Sequence, residues 1–396
     1  MRLDVDRLLD DPRTRIIVCC GSGGVGKTTT AAALGLRAAE RGRHVVVLTV
    51  DPARRLAQSM GLTSLDNTPR PVPGAVGDPQ LGGSLHAMML DMKRTFDEIV
   101  EAHSDPDRAA QILANPFYQS LSSSFAGTQE YMAMEKLGQL RQSDEWDLIV
   151  VDTPPSRSAL DFLDAPQRLG RFLDGRLIRL LSAPTKIGGR AYLRVVTAGF
   201  GMLTGVITKV IGTQVLRDVQ TFVAAFDTMF GGFRQRAEDT YRLLQAPGTA
   251  FLVIATPEPD ALREASYFVE RLSQDRMPLA GLVVNRVHRS PAAQLSAARS
   301  LAAAETLESA PATLISPNEN STATAGRYPL AATALRLHAE RMQLGERERR
   351  LEEHFTAAHP IIPVAEVPAQ PEDVHDLDGL RAVSAELAKA ADPEVS

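Results

Sequence analysis

At 396 residues with a net charge of −5, the chain has room for one large α/β domain or two smaller ones. Its 44% hydrophobic and 23% charged residues suit a well-packed soluble protein, and the acidic balance leaves no basic footprint for nucleic acid. The two cysteines, Cys19 and Cys20, are adjacent in an apolar run, so their side chains should face opposite ways as buried thiols. Two free thiols suit a reducing compartment. The opening M-R-L-D-V-D has no apolar core of a secretory leader. The least polar long stretch, Tyr192 to Leu216, carries Arg194, Lys209 and four glycines, which argues against a membrane span. A cytoplasmic protein is expected.

In chain order, Ile16 to Cys20 predicts the first strand. Gly21 to Thr29, G-S-G-G-V-G-K-T-T, follows it and fits G-x-x-x-x-G-K-[ST] at Gly21, Gly26, Lys27 and Thr28. The Ala-rich run Thr29 to Arg41 predicts the helix leading out. This setting suits a phosphate: glycines let backbone N–H groups approach it, and the helix N-terminus favours its charge. Lys27 is expected at the β- and γ-phosphates and the Thr28 hydroxyl on Mg²⁺, with Ser22, Gly23, Gly24, Val25 and Thr29 completing the loop. Gly21, Gly23 and Gly26 also satisfy the dinucleotide pattern G-x-G-x-x-G, with Asp51 where a ribose-binding acid would stand. Lys27-Thr28 has no role in such a site, where backbone holds the pyrophosphate. A nucleoside triphosphate is therefore the expected ligand.

Gly42 stops the helix, and His44 to Val50 predicts a strand ending at Asp51-Pro52. Asp66 to Gly83 reads as a loop, Leu85 to Leu90 as a strand ending at Asp91, and Met92 to His103 and Gln129 to Arg141 as helices. Asp147 to Asp152 is a buried strand, and Leu160 to Leu244 shows helical patterns without strand alternation. Strands return at Ala250 to Ala255 and Ala280 to Asn285, separated by a helix from Asp260 to Leu272. Glu305 to Arg327 reads as a low-order Ala/Ser/Thr/Pro stretch. A charged helix from Pro329 to Ala357 follows, whose Leu337, Leu344 and Leu351 read as one apolar stripe. Ile361 to Val367 is the last strand and Leu377 to Ala390 the last helix. The alternation predicts an α/β protein, a mostly parallel doubly wound P-loop NTPase sheet with an inserted α-helical subdomain. Its ATPase domain spans 1–159 and 246–396, the helical subdomain 160–245; 92–141 is a candidate helical contribution, and 305–327 a flexible segment.

Strand ends in an open parallel sheet face the ligand, so an aspartate there is a candidate for nucleotide chemistry. Asp152 fits the role of holding Mg²⁺ through its water shell, and Asp51 that of placing the attacking water. Asp91 has the same position in a weaker context, and a strand-end aspartate by itself is more often a helix cap. Phosphoryl transfer needs little beyond placement of water and countercharge, so Lys27 and Asp51 are the candidate catalytic residues.

The loop at Gly21, T-V-D-P-A at Thr49 to Ala53 and V-V-D-T-P-P-S at Val150 to Ser156 resemble the ArsA class of ATPases. That class includes arsenite-pump ATPases and tail-anchored-protein-targeting ATPases, within the deviant Walker A group. The resemblance continues through A-G-T-Q-E (Ala126 to Glu130), T-P-E-P-D-A-L-R-E-A (Thr256 to Ala265), V-V-N-R (Val283 to Arg286) and P-V-A-E-V-P (Pro363 to Pro368). It is strongest to actinobacterial ArsA-like proteins that occur as pairs of non-identical subunits. It implies ATP hydrolysis, Asp51 orienting the water, Asp152 opening a switch segment, Asn285 with Arg286 at adenine, and the backbone around Pro363 to Glu366 packed along the base. It also implies a dimer of homologous subunits and a hydrophobic or membrane-protein client for the helical subdomain, whose apolar side chains run from Leu193 to Ile211; the sparse methionine of that block favours instead a buried helix pair or an interface with the partner subunit.

Two departures qualify this. Members usually carry a lysine directly after the first glycine, reaching the partner's phosphates; here that residue is Ser22, and a hydroxyl cannot replace a cation. A heterodimer with a lysine-bearing paralogue is therefore expected, with a weakly hydrolysing regulatory subunit as the alternative. Arg157-Ser158 replaces the Gly-His usual in the targeting ATPases. With no C-x-x-C, no zinc is expected, and arsenite or anion transport is the less favoured reading because a thiol cluster is missing.

Overall fold

The computed structural model describes residues 1–51, 55–75, 82–116, 118–119, 122, 128–154, 235–309 and 327–389. Helix α1 (Val5–Asp10) precedes strand β1 (Ile16–Cys20), whose five residues are all buried. Helix α2 (Lys27–Glu40), strand β2 (His44–Thr49), helix α3 (Arg55–Ser59) and strands β3 (Arg70–Pro71) and β4 (Ser84–Met89) follow. Helices α4 (Met92–His103), α5 (Pro106–Ala114) and α6 (Thr128–Gln142) lead to β5 (Leu148–Asp152). After helical residues 235–245 come β6 (Thr249–Ala255), α7 (Pro259–Gln274), β7 (Leu279–Val287), α8 (Ala297–Ser309), α9 (Arg327–Ala358), β8 (Val364–Pro368) and α10 (Leu377–Ala388).

The strands form one sheet in the order β3-β4-β2-β5-β1-β6-β7-β8, parallel throughout except for the β3–β4 pair. Central strands of such a sheet are covered on both faces, which accounts for the unbroken aliphatic runs of β1, β5 and β6. Helix α2 packs closely on the sheet because Gly35 has no side chain: a Cβ there would lie 2.5 Å from Val47 Cγ2. Its alanines Ala31, Ala32, Ala33, Ala38 and Ala39 are all buried, and α10 packs across it.

The register sets the site. Cys19 pairs with Asp152 and Thr49 pairs with Asp152, so β1, β2 and β5 end side by side. The chain leaves β1 towards β2 and β4 on one side and later fills β6, β7 and β8 on the other. The loop after β1 thus lies at the switch in strand order, where open α/β sheets bind ligands.

The predicted strands and the long helices are present with ends shifted by a few residues, and α4 coincides with its prediction. Helices α1, α3, α5 and α8 and strand β3 are additional, and α8 runs through Ser309 into the stretch expected to be low-order. On α9 the buried line is Ala332, Ala339, Glu348 and Phe355, whereas Leu337 is 61% exposed. The expected leucine stripe is thus only partly turned inward. The predicted helical subdomain falls almost wholly outside the described residues, as do Leu193 to Ile211, Arg157-Ser158 and 310–326.

Candidate functional site

Gly21 and Gly26 are required by space as well as by conformation. A Cβ on Gly21 would sit 2.1 Å from the Ile254 carbonyl oxygen, where the loop crosses the end of β6. Gly24 and Gly26 have φ of 79° and 93°, a region open chiefly to glycine. The loop ends at the first turn of α2, where Lys27 is buried and its Nζ donates to the Ser22 carbonyl at 2.8 Å. Burial lowers the Lys27 pKa, opposed by the nearby charges of Asp152 and Asp51. The ammonium therefore lies folded over the loop, beside the carboxylates.

Asp152 is the centre of the arrangement. Its Oδ2 accepts from Thr28 Oγ1 at 2.8 Å and from Thr49 Oγ1 at 2.9 Å, and the side chain is fully buried. Burial pushes its pKa up to about 6 against the lowering effect of both hydroxyls and of Lys27, with Asp51 adding a further upward push. The other oxygen, Oδ1, is buried without a hydrogen-bond partner among the described residues. Buried acceptors seldom remain unpaired. A hydrated Mg²⁺ fits this cradle: its water shell would bring donors to Oδ1 and its charge would offset the carboxylate, with the Thr28 hydroxyl as the second holding group.

Asp51 lies two residues beyond the end of β2, and its N–H donates to Thr49 Oγ1 at 3.2 Å. One threonine thus ties Asp152 to the segment carrying Asp51, a link absent from the sequence reading. The signal was a lone hydroxyl residue closing an aliphatic strand. Thr153 was also missed; its Oγ1 donates to the Cys19 carbonyl at 2.9 Å and ties the end of β5 to β1. Asp91 does not join this group. Its side chain caps α4, accepting from the Arg94 N–H at 2.9 Å.

Asn285 ends the described site on the β7 side. Its Nδ2 donates to the Val25 carbonyl at 2.9 Å, and its Oδ1 accepts from the Arg286 N–H at 3.0 Å, with Arg286 at φ 62°. Pro363 is not beside it. Val364 is paired with Leu282, so Pro363 precedes β8, whereas Val367 is the register partner of Asn285. Pro368 and Ala369 continue at that level, and the Ala369 N–H donates to the Val287 carbonyl at 3.0 Å.

The cysteines lie beneath the loop, with their thiol pKa values raised by burial, that of Cys20 to about 12. Cys20 Sγ donates to the Leu252 carbonyl at 3.5 Å. Thiolates are the metal-binding form, and here that form is suppressed. Among the described residues there is no group of three or more His, Cys, Asp or Glu side chains placed to hold a metal. Nor, among them, is any helix long and apolar enough to cross a membrane.

This geometry agrees with comparison to known proteins. Residues 14–312 match the family described as anion-transporting ATPase, ArsA_ATPase. The chain belongs to that family. It is an ArsA-type ATPase built on the mostly parallel sheet described above. ATPase get3 of Schizosaccharomyces pombe is 24% identical over 288 residues, 72% of this chain and 78% of that protein. ATPase GET3 of Malassezia globosa is 30% identical over 169 residues, 43% of this chain and 47% of that protein. An ATPase ASNA1 homolog of Cryptosporidium parvum is 26% identical over 267 residues, 67% of this chain and 63% of that protein. These are similarities of moderate depth to proteins named as ATPases, and this ArsA-type chain shares with them more than its phosphate loop.

Proposed function

We propose that the protein is a cytoplasmic switch ATPase that binds and hydrolyses ATP as one half of a dimer and couples nucleotide state to a client or partner surface. The observation that carries this reading is the convergence of the Thr28 and Thr49 hydroxyls on one Asp152 oxygen, with Asp51 tied to the same threonine. Lys27 exchanges the Ser22 carbonyl for the β- and γ-phosphates, and loop N–H groups cradle the same oxygens. Asp51 positions the attacking water, and Asp152 senses the γ-phosphate side through Thr49. Mg²⁺, held by Thr28 and through water by Asp152, supplies the countercharge for the phosphates. Asn285 meets adenine with the hydrogen-bonding capacity it has left, and the backbone that runs from Pro363 through Glu366 to Ala369 lies along the base.

The partner is a homologous subunit bearing the lysine that Ser22 replaces, which makes the two sites of the dimer unequal. This chain alone should bind ATP–Mg²⁺ and turn it over slowly. Steady-state hydrolysis with and without the lysine-bearing subunit tests this, together with Ser22→Lys in the isolated chain. A positive side chain delivered across an interface raises phosphoryl transfer by roughly 10³-fold or more. Full turnover by the chain alone, unchanged by partner or by Ser22→Lys, sinks the reading. The weakly hydrolysing regulatory subunit is the second reading, favoured by the same Ser22. It is chosen if Lys27→Ala in this chain leaves the rate of the mixed dimer unchanged. A hydrophobic or membrane-protein client rests on the family resemblance and is sought as nucleotide-dependent co-purification.

A further inference from the structure

The contact between Asn285 and Val25 is independent of any base. Within the loop, N–H groups must point at the phosphates, so the carbonyls of the same peptide units must turn outward and find donors elsewhere. A trans peptide directs its C=O and N–H in opposite senses. Fixing the Val25 carbonyl from outside therefore aims the Gly26 N–H the other way. Asn285 Nδ2 provides that fixing donor at 2.9 Å, from a strand two places across the sheet from β1.

Two further observations show that the contact is built in. A Cβ on Gly26 would lie 2.2 Å from Asn285 Nδ2, so the amide occupies space that glycine alone leaves open. The amide is also oriented, because its Oδ1 accepts the Arg286 N–H at 3.0 Å, and an oxygen there fixes which end carries the donors. Each amide has two donor hydrogens and two acceptor lone pairs. One of each is used, which leaves one of each for a base.

We propose that Asn285 is a positioning residue for phosphate binding, holding the Val25–Gly26 peptide in its anion-binding orientation whatever base is present. The reading rests on the phosphate-loop assignment but not on adenine recognition. Asn285→Ala removes the donor. Asn285→Asp keeps the size and the acceptor for Arg286 but sets a carboxylate against the Val25 carbonyl.

Amide hydrogen exchange of the loop peptide spanning Gly21 to Thr29, in the full-length chain saturated with Mg²⁺ and inorganic tripolyphosphate, is the deciding measurement. Both variants should exchange faster there by about tenfold, the scale of one lost hydrogen bond, while the β1 and β5 strands keep their protection. Binding of ATP, GTP and inorganic tripolyphosphate, each with Mg²⁺, should weaken in all three cases, with ATP losing the most because Asn285 also meets its base. Unchanged loop exchange in Asn285→Asp overturns the proposal. Faster exchange with equal losses for all three ligands supports it and removes the adenine role. Unchanged exchange with a loss confined to ATP leaves the base-reading role standing alone. If Asn285→Ala does not fold, Asn285→Asp gives the same comparison, since it preserves volume and the Arg286 contact.

Discussion

Two carboxyl groups in this protein are driven in the same direction by different surroundings. Asp152 sits under the phosphate loop, where burial raises its pKa to about 6 against the pull of two hydroxyls and of Lys27. Glu352 sits on α9 at the far edge of the sheet, where burial and the neighbouring Glu366 raise it to about 7, with Arg289 pulling it down and Glu353 pushing it up. Around Glu352 is a cavity of about 250 Å³ lined by side chains including Arg289, Arg349, Thr356 and Glu366. Beside it the His288 ring meets Glu348 at 2.7 Å, and Arg289 pairs with Glu366. Glu352 thus has a second carboxyl group for company, and a shared proton relieves that pair. Asp152 has donors on one oxygen only, so a cation and its water are what would relieve it. A raised carboxyl pKa alone therefore does not mark a site; the unmet oxygen does.

The sharpest break of this comparison is Asp152→Asn. Turnover should fall roughly 10²–10³-fold, as for loss of one preorganised electrostatic group, and Lys27→Ala should be at least as severe. Stability should move the other way. An acid whose folded pKa lies above its unfolded value binds extra protons when folded, so it costs stability as pH rises through that interval. For Asp152 the interval runs from 3.8 to about 6, and above it the nucleotide-free wild type bears a penalty on the order of 3 kcal/mol. Asp152→Asn should therefore be at least as stable as wild type at pH 7.5 by denaturant unfolding, despite being inactive. Loss of both activity and stability would mean that the carboxylate holds the ends of β1, β2 and β5 together through its hydroxyl partners rather than waiting for a cation.

A smaller effect tests the threonine link. Thr49→Val removes one donor to Asp152 and the acceptor for the Asp51 N–H while leaving the strand's shape. We expect about a tenfold loss of kcat, from one hydrogen bond to a charged group together with a loosened Asp51. The acidic limb of the pH–rate profile should also move upward, because a hydroxyl that lowers the Asp152 pKa has gone. A loss of kcat with an unmoved limb would separate Thr49 from Asp152 and leave it acting on Asp51 alone.

What was legible beforehand follows the same division. The buried parallel strands are continuous aliphatic runs, and that pattern has few other uses, so β1, β5 and β6 were readable almost to the residue. The phosphate loop was readable because its glycines and Lys27 have few other joint uses. Helices α1 and α3, of six and five residues, are too short to show a period. Helix α8 packs on α9 through small side chains, and its end, Glu305 to Ser309, fell in the stretch whose composition suggested low order, although the alanines before it favour helix. On α9 the eye was drawn to Leu337, Leu344 and Leu351, while close packing selected Ala332 and Ala339 for the inward line. Asn285 was singled out by resemblance, but its contact with Val25 joins residues 260 positions apart, and only the sheet order brings them together. How the backbone from Pro363 to Glu366 lies against Asn285 was unreadable for the same reason, since the β7–β8 register cannot be read from either strand.

Glu352→Gln should have the smallest effect and sharpens the comparison from the structural side. ATP hydrolysis should be unchanged, because the residue lies on α9, away from the phosphate loop. In the wild type the folded state keeps a proton on the Glu352–Glu366 pair that the unfolded chain gives up near 4.5, so stability contributed by that proton is present at low pH and fades as pH rises to about 7. An amide holds its hydrogens at every pH, so it can donate to Glu366 throughout. The melting temperature of Glu352→Gln, relative to wild type, should thus be level near pH 4.5 and higher by a few degrees at pH 7.5. The opposite slope would mean that Arg289, not the shared proton, governs the pair. In that case the two carboxyl groups would share only their burial, and the orphaned oxygen of Asp152 would remain the sole chemical difference that a ligand can use.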